Sequence, residues 1–266
     1  MTLTKYRKLA GGRIGLRQLR QSEHSQSIQL ICFPYAGGNS LAFNPLAIHL
    51  PNNWDLWAVD PPGHGGSTGI AIDNLEKLII EYINYIPWDE FDCIVLFGHS
   101  LGGYIVHTLA TELLKYREAS LLCTIICATK PYHKRSKLEL YSRLDDVTFL
   151  QKLVNLGGIP KDTANNPEFF DFFKEVIRSD FRLFETCNPP ENLLTLPMLA
   201  LGGLEDTFCP FPHIHEWQLY VQNCEIDCLP GKHFCLQTHP LELCDRIVFF
   251  VLNNLLNVGE KRKIIN

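Results

Sequence analysis

Short apolar segments alternate with longer amphipathic segments along most of the chain. Six short segments are rich in β-branched or aromatic residues, and several are apolar nearly throughout, as expected of strands buried on both faces of a parallel sheet. They are Ile28–Phe33, Leu56–Val59, Cys93–Phe97, Leu121–Ala128, Met198–Leu201 and Cys224–Leu229. The intervening segments predict helices at Asn74–Ile86, Leu101–Tyr116, Phe211–Val221 and Leu241–Leu256. This alternation predicts an α/β fold with a mostly parallel, doubly wound sheet.

The alternation stops over residues 130–190, which contain two helical patterns and no convincing strand. The first pattern spans Asp145–Asn155 and the second spans Pro167–Ile177. In the second, helical spacing places five apolar residues on one face, namely Phe169, Phe172, Phe173, Val176 and Ile177. Such a face either packs on the core or lines a cap over the carboxyl edge of the sheet, where open α/β sheets bind ligands. We therefore expect one domain over residues 1–266, with a helical lid inserted at 130–190.

Composition and charge exclude several classes of protein. With 266 residues, 46% of them hydrophobic and 20% charged, the chain resembles a globular domain and not a disordered segment. No stretch approaches the ~18 consecutive apolar residues of a membrane span. The net charge of −5 argues against nucleic-acid binding through a basic field. Because the first 20 residues contain six lysines and arginines and no acid, we expect residues 1–27 to form a basic, solvated arm. A transit peptide or a contact with an acidic partner are the alternatives.

The ten cysteines lie in apolar surroundings and are expected to be small buried residues without disulfide bonds. No secretory hydrophobic region opens the chain, so a reducing, cytoplasmic location is expected. Three groups resemble metal-binding patterns: Cys123 with Cys127, Cys224 with Cys228, and His213 with His215 near Cys209. Each cysteine pair spans about 13 Å along a strand, and the histidines fit exposed helix positions, so no metal site is predicted.

The strongest chemical signal is the hexapeptide Gly98–Gly103, which contains the pattern G-x-S-x-G. It follows the predicted strand Cys93–Phe97 and opens a predicted helix, as a nucleophile elbow requires. The flanking glycines avoid clashes between strand and helix, and the turn raises the serine hydroxyl above the sheet near a helix N-terminus. We therefore predict that Ser100 is a nucleophile.

A serine hydroxyl needs a general base, and the base needs an orienting acid, in the chain order Ser, Asp or Glu, His. His233 follows the last predicted strand and is the expected base, whereas His239 precedes a proline at a helix start. Asp206 follows the strand Met198–Leu201 and is the expected acid. Glu205, beside it, is the alternative, and Asp180 is less favoured because a mobile cap holds an imidazole poorly.

Acyl transfer also needs donors for a developing oxyanion. One is the backbone N–H of the residue after the nucleophile, Leu101. The other comes from the glycine-rich loop after Ile28–Phe33, where we predict Ala36, with Tyr35 as the alternative. No G-x-G-x-x-G pattern occurs, so this loop does not indicate a dinucleotide cofactor.

Several motifs in one order extend this interpretation to a family. They are Ile31–Gly38, Asp60–Gly65, Gly98–Gly103, Leu156–Pro160, Arg178–Asp180, Gly203–Asp206 and Gly231–Phe234. Together they resemble the type II, external thioesterases of non-ribosomal peptide and polyketide synthesis, with the Pro-Pro-Gly-His-Gly of the surfactin-type branch. The resemblance covers residues 28 to 255. Lys232 departs from it, since a second glycine is frequent there, and the basic arm has no counterpart.

The resemblance implies an α/β-hydrolase fold and hydrolysis of acyl or aminoacyl thioesters on the 4′-phosphopantetheine arm of carrier proteins. It implies a triad of Ser100, Asp206 and His233, with Ala36 and Leu101 as oxyanion donors, and a cap that receives the arm. The arm belongs to the substrate, so no cofactor is expected, and a monomer is the default. Two alternatives stay open: a chain-terminating hydrolase of medium- or long-chain fatty acyl groups, and a non-catalytic scaffold that binds carrier proteins.

Overall fold

One eight-stranded sheet organises the fold. The computed structural model describes residues 5–117, 120–135, 140–159 and 167–265. The strands are β1 (Tyr6–Leu9), β2 (Ile14–Arg20), β3 (Ile28–Phe33), β4 (Trp54–Asp60), β5 (Ile94–His99), β6 (Leu121–Cys127), β7 (Met198–Gly203) and β8 (Cys224–Leu229). Their order in the sheet is β1-β2-β4-β3-β5-β6-β7-β8. From β4 to β8 all neighbours are parallel, and the only antiparallel pairings among the described strands are those of β2 with β1 and with β4, which confirms the predicted mostly parallel sheet.

The α-helices lie between and beyond these strands. They are α1 (Asn44–Ala47), α2 (Leu75–Tyr85), α3 (Leu101–Arg117), α4 (Asp146–Leu156), α5 (Pro167–Thr186), α6 (Phe211–Ile214), α7 (Cys235–Thr238) and α8 (Pro240–Ile265). Local sequence sets several ends: the Asn74 side chain caps α2, and Ile86 is extended because a proline follows it. None of the described helices carries an apolar stretch long enough to cross a membrane.

The helix predicted over Phe211–Val221 is wrong in its second half. The α-helix ends at Ile214, and a tighter 3₁₀ helix follows at His215–Leu219. Trp217 is fully buried there and donates its indole N–H to the carbonyl of Thr129 over 2.6 Å. Val221 then forms a parallel bridge with Leu194, so burial of the indole and this pairing override the helical pattern.

Both faces of the sheet are covered. Alternate residues of β3 enter two different hydrophobic clusters: Ile31 belongs to the one that contains residues of α2 and α3, and Leu30 belongs to the one that contains residues of α8. This alternation explains why the central strands are apolar nearly throughout, because most of each face is shielded from water.

The expected N-terminal arm is not solvated. Residues 6–20 instead form β1 and β2, and β2 pairs antiparallel with β4, so that Ile14 and Leu16 are fully buried. Two of the basic side chains pair with acids far along the chain: Arg7 with Glu90 over 2.6 Å, and Arg13 with Glu81 over 2.8 Å. The cluster of basic residues therefore led to the prediction of a solvated arm, although the alternating apolar residues of the same segment are typical of strands. Residues 1–4 of the expected arm lie outside the described part of the chain.

The segment over residues 130–190 carries α4 and α5 between β6 and β7. The buried stripe of α5 contains Phe170, Ile177, Phe181 and Phe184, with Phe173 partly buried beside it. Phe172, placed on this face by the sequence pattern, is 77% exposed, so its predicted position is wrong. The side chain of Phe169 and the family-motif residue Pro160 lie outside the described residues.

Replacement of Leu16 by alanine should destabilise the protein by about 2–5 kcal/mol, because it leaves a cavity beneath the sheet. Replacement of the exposed Lys8, in the same hairpin, should change stability by less than about 0.5 kcal/mol. Urea denaturation measures both free energies of unfolding. Equal, negligible effects would mean that the N-terminal residues do not contribute a folded strand.

Candidate active site

Three side chains from separate loops meet at the carboxyl edge of the parallel strands. Ser100 follows β5, Asp206 follows β7 and His233 follows β8. Oγ of Ser100 donates a hydrogen bond to Nε2 of His233 over 3.0 Å, and Nδ1 of His233 donates one to Oδ2 of Asp206 over 2.7 Å. The structure thus brings together the three residues that the sequence predicts as nucleophile, base and acid.

The turn at Ser100 requires its neighbouring glycines. Ser100 has a left-handed backbone with φ of 54°, which is strained for a residue with a Cβ. A Cβ at Gly98 would lie 2.1 Å from the carbonyl oxygen of Gly102, and one at Gly102 would lie 2.0 Å from that of Phe33. The backbone N–H of Ser100 donates to the carbonyl of Cys127 over 2.8 Å, which holds the strained turn against β6.

The imidazole of His233 is buried and fixed in one tautomer. Because Nδ1 carries the proton donated to Asp206, the lone pair of Nε2 faces Ser100. Asp206 is held in turn by the backbone N–H groups of Phe208 and Cys209, which donate to Oδ1 over 2.9 and 2.8 Å. Burial lowers the pKa of His233, and although Asp206 opposes this, the pKa stays below its ordinary value of 6.5. The base is therefore neutral, and able to accept a proton, at neutral pH.

The other candidates for acid and base lie elsewhere. Glu205 is exposed, and its backbone N–H donates a hydrogen bond to the carbonyl of Gly231. Nδ1 of His239 is hydrogen-bonded to the Thr238 hydroxyl over 2.8 Å. Asp180 lies on α5 and contacts the predicted oxyanion loop instead of His233.

The predicted oxyanion donors border the same cavity as the nucleophile. Ala36 and Leu101 line it together with Ser100 and His233. Gly37, the next residue of the loop, has φ of 76°, and a Cβ there would lie 2.9 Å from the side chain of Ile177 on α5. The loop therefore depends on glycine to pass close beneath α5.

Asp180 ties this loop to α5, a role that the sequence analysis did not identify. Its Oδ2 accepts the backbone N–H of Gly37 over 2.7 Å and Nε2–H of His64 over 2.9 Å. The other ring nitrogen of His64 lies 3.0 Å from the carbonyl of Pro62. Burial is the largest influence on the pKa of His64 and lowers it, but the Asp180 carboxylate, the carbonyl of Pro62 and Asp60 together raise it by more, so the net pKa is raised. A buried histidine–carboxylate pair thus positions the loop, and the available signal was the joint presence of the motifs that contain His64 and Asp180.

Two neighbouring cavities lie beside the oxyanion loop. The first, of about 30 Å³, lies at Ser100 and is lined mostly by apolar side chains, including Phe181, Phe184, Phe208 and Phe234. The second, of about 240 Å³, is lined by residues of the oxyanion loop and reaches His64. The cavities share four lining residues, Tyr35, Ala36, Leu153 and Gly158. A bound molecule can therefore place one part in an apolar chamber and another in a more polar groove.

Comparison with known proteins places this site in a family context. Residues 28–249 match the family model for the thioesterase domain. The chain is 25% identical over 228 residues to thioesterase PikA5 of Streptomyces venezuelae, covering 84% of this chain and 80% of that one. It is 28% identical over 218 residues to the medium-chain S-acyl fatty acid synthase thioesterase of Rattus norvegicus, covering 78% and 81%.

A solved structure shares the fold. The type II thioesterase BorB from the borrelidin biosynthetic cluster superposes with a TM-score of 0.77 at 24% identity, covering 89% of this chain and 97% of that one.

The pH dependence of serine labelling tests the environment of His233. A fluorophosphonate probe should label Ser100 at a rate that rises with pH as His233 loses its proton, with a midpoint below 6.5 because burial lowers its pKa. Labelling rates from pH 4.5 to 8, with Ser100→Ala as the unreactive control, measure the midpoint. A midpoint at or above 6.5 would contradict this environment.

Loss of the carboxylate on α5 should disorder the oxyanion loop. Asp180→Asn removes the negative charge that the imidazole of His64 faces and leaves a weaker, neutral acceptor for the N–H of Gly37, so we expect fluorophosphonate labelling to slow by about tenfold. Asp171→Asn, on the exposed side of the same helix, is the matched control. Unchanged labelling in a folded Asp180→Asn protein would show that the loop keeps its position without this contact.

Proposed function

Since the chain belongs to the thioesterase-domain family and is a thioester hydrolase, we propose that it is a type II thioesterase of non-ribosomal peptide or polyketide synthesis. Its substrates are acyl or aminoacyl groups on the 4′-phosphopantetheine arm of carrier proteins, and their removal regenerates misprimed or stalled modules. The observation that carries the proposal is the hydrogen-bonded series Ser100–His233–Asp206 inside a family match over residues 28–249. The motif of the surfactin-type branch, at residues 61–65, makes that branch our specific prediction.

Each polar group of the site has a defined role in the proposed mechanism. Oγ of Ser100 attacks the thioester carbonyl while Nε2 of His233 takes its proton, and Asp206 stabilises the resulting imidazolium. The N–H groups of Ala36 and Leu101 bind the oxyanion. His233 returns its proton to the departing thiolate, then activates a water molecule that hydrolyses the acyl-serine. No metal or cofactor takes part in these steps.

The two cavities provide separate places for the acyl group and for the pantetheine arm of the proposed substrate. The apolar chamber at Ser100 suits an acyl group, and the groove beyond the oxyanion loop suits the polar, extended pantetheine arm. Names of similar proteins support the same setting, because BorB is a type II thioesterase of a biosynthetic cluster.

The chain-terminating alternative also has support, since a medium-chain fatty acid synthase thioesterase is among the relatives. The chamber at Ser100 has a volume of only about 30 Å³ and is bordered by phenylalanine rings, which favours short acyl groups, so we retain proofreading as the main proposal. A non-catalytic scaffold would not need a nucleophile hydrogen-bonded to a buried base.

One carrier protein loaded with acetyl, aminoacyl or dodecanoyl groups separates these functions. We expect kcat/KM for acetyl and aminoacyl groups to exceed that for dodecanoyl by about tenfold or more, because the longer chain exceeds the chamber. Ser100→Ala should lower kcat by several orders of magnitude. Preference for dodecanoyl would establish the chain-terminating role, and wild-type turnover by Ser100→Ala would refute the nucleophile.

A further inference from the structure

Two thiols and an imidazole converge beneath the nucleophile. Sγ of Cys127 lies 3.3 Å from Sγ of Cys235, and both side chains are fully buried. With His99 they form a group whose potential ligand atoms all lie within 4.8 Å of one another, the one such group of three found in the described part of the chain. The three residues come from β5, β6 and α7, so spacing in the sequence could not reveal them.

The hydrogen bonds of His99 leave one ring nitrogen facing this cluster. Nε2 lies 2.9 Å from the carbonyl oxygen of His233, and because a carbonyl only accepts, Nε2 carries the proton. Nδ1 is buried without a hydrogen-bond partner. A ring nitrogen of His99 thus lies within 4.8 Å of both thiol sulfurs.

This arrangement favours the thiolate of Cys235 over that of Cys127. The hydrogen bond from the Cys127 thiol is the largest cause, burial opposes it, and His99 adds to it, so the net pKa of Cys235 is lowered. The same pair raises the pKa of Cys127 well above its ordinary value. One sulfur is therefore the better nucleophile, and the other lies in contact with it as a resolving thiol.

We propose that Cys127 and Cys235 are an oxidation site at which hydrogen peroxide forms an intrachain disulfide that slows the adjacent triad. The Cys235 thiolate attacks one peroxide oxygen, which breaks the O–O bond and leaves a sulfenic acid and, after proton uptake, water. Sγ of Cys127 then attacks the sulfenic sulfur, expels hydroxide and loses its thiol proton, which yields the disulfide and a second water. The two thiols together lose two electrons and two protons, and the peroxide takes up both.

The disulfide would act on catalysis through the backbone on both sides of the pair. An S–S bond is about 2.05 Å long, so the sulfurs must approach by more than 1 Å. The carbonyl of Cys127 accepts the N–H of Ser100, and Cys235 stands two residues after His233. Shifts of about 1 Å in a catalytic group reduce rates by up to about 100-fold, so we expect at least a tenfold loss of turnover.

Mass spectrometry of the full-length protein tests the site without reference to its substrate. Treatment with hydrogen peroxide should remove two hydrogen atoms from the chain, and digestion without reductant should yield a peptide that links residues 127 and 235. Bulky thiol reagents should react poorly with both cysteines, because both are buried. Hydrolysis of a generic thioester should fall at least tenfold and return after treatment with dithiothreitol.

Matched variants separate this pair from the remaining cysteines. Cys127→Ala and Cys235→Ala should keep their activity in peroxide, whereas Cys123→Ala, which removes another buried thiol of β6, should respond like the wild type. Absence of the linked peptide in the wild type, addition of oxygen atoms in place of hydrogen loss, or a disulfide that leaves turnover unchanged would each overturn the proposal. So would a resident metal ion bound by the two thiolates, which mass spectrometry of the native protein would detect. Because the mass readout needs no carrier protein, failure of the proposed function would leave this test intact.

Discussion

The strained backbone of Ser100 is the constraint around which the rest of the site is arranged. Its left-handed conformation places the hydroxyl above the sheet, and α3 lies so close to β5 and β3 that Gly98 and Gly102 cannot bear side chains. Strain of this kind persists only where surrounding contacts hold it. Here the carbonyl of Cys127 accepts the N–H of Ser100, and the Thr129 hydroxyl donates to the carbonyl of Ser100 over 3.0 Å. The nucleophile is therefore held by the neighbouring strand as well as by its own turn.

Buried carboxylates organise the loops around this turn. Asp206 receives two backbone N–H groups and the imidazole of His233, and Asp180 receives Gly37 and His64. A buried carboxylate is stable in a low-dielectric interior only when hydrogen-bond donors surround it. Each carboxylate consequently joins segments that are distant in sequence, and the geometry of the site depends on their being folded together.

A third carboxylate explains why the N-terminal residues belong to the domain. Oδ1 of Asp60 accepts the N–H of Ser40 over 2.6 Å, while Oδ2 accepts the N–H of Gly66 and the hydroxyl of Tyr6, each over 2.9 Å. Tyr6 lies in β1, so the basic hairpin closes over the loop that carries His64. The basic residues of this segment, which suggested solvation, form ion pairs with acids distant in the sequence, and its apolar residues pack beneath the sheet.

Local patterns in the sequence were sufficient for the parallel strands, the elbow and the candidate residues of the triad, because each depends on short-range rules of burial, turn geometry and chain order. Three features were decided only in the folded chain: the antiparallel hairpin, the exposure of Phe172, and the hydrogen bond from the oxyanion loop to Asp180. The contact between the sulfurs of Cys127 and Cys235 is a fourth such feature. The physical reason is that packing, hydrogen bonds and sulfur contacts act over a few ångströms, and only the tertiary structure brings residues tens to hundreds of positions apart within that range.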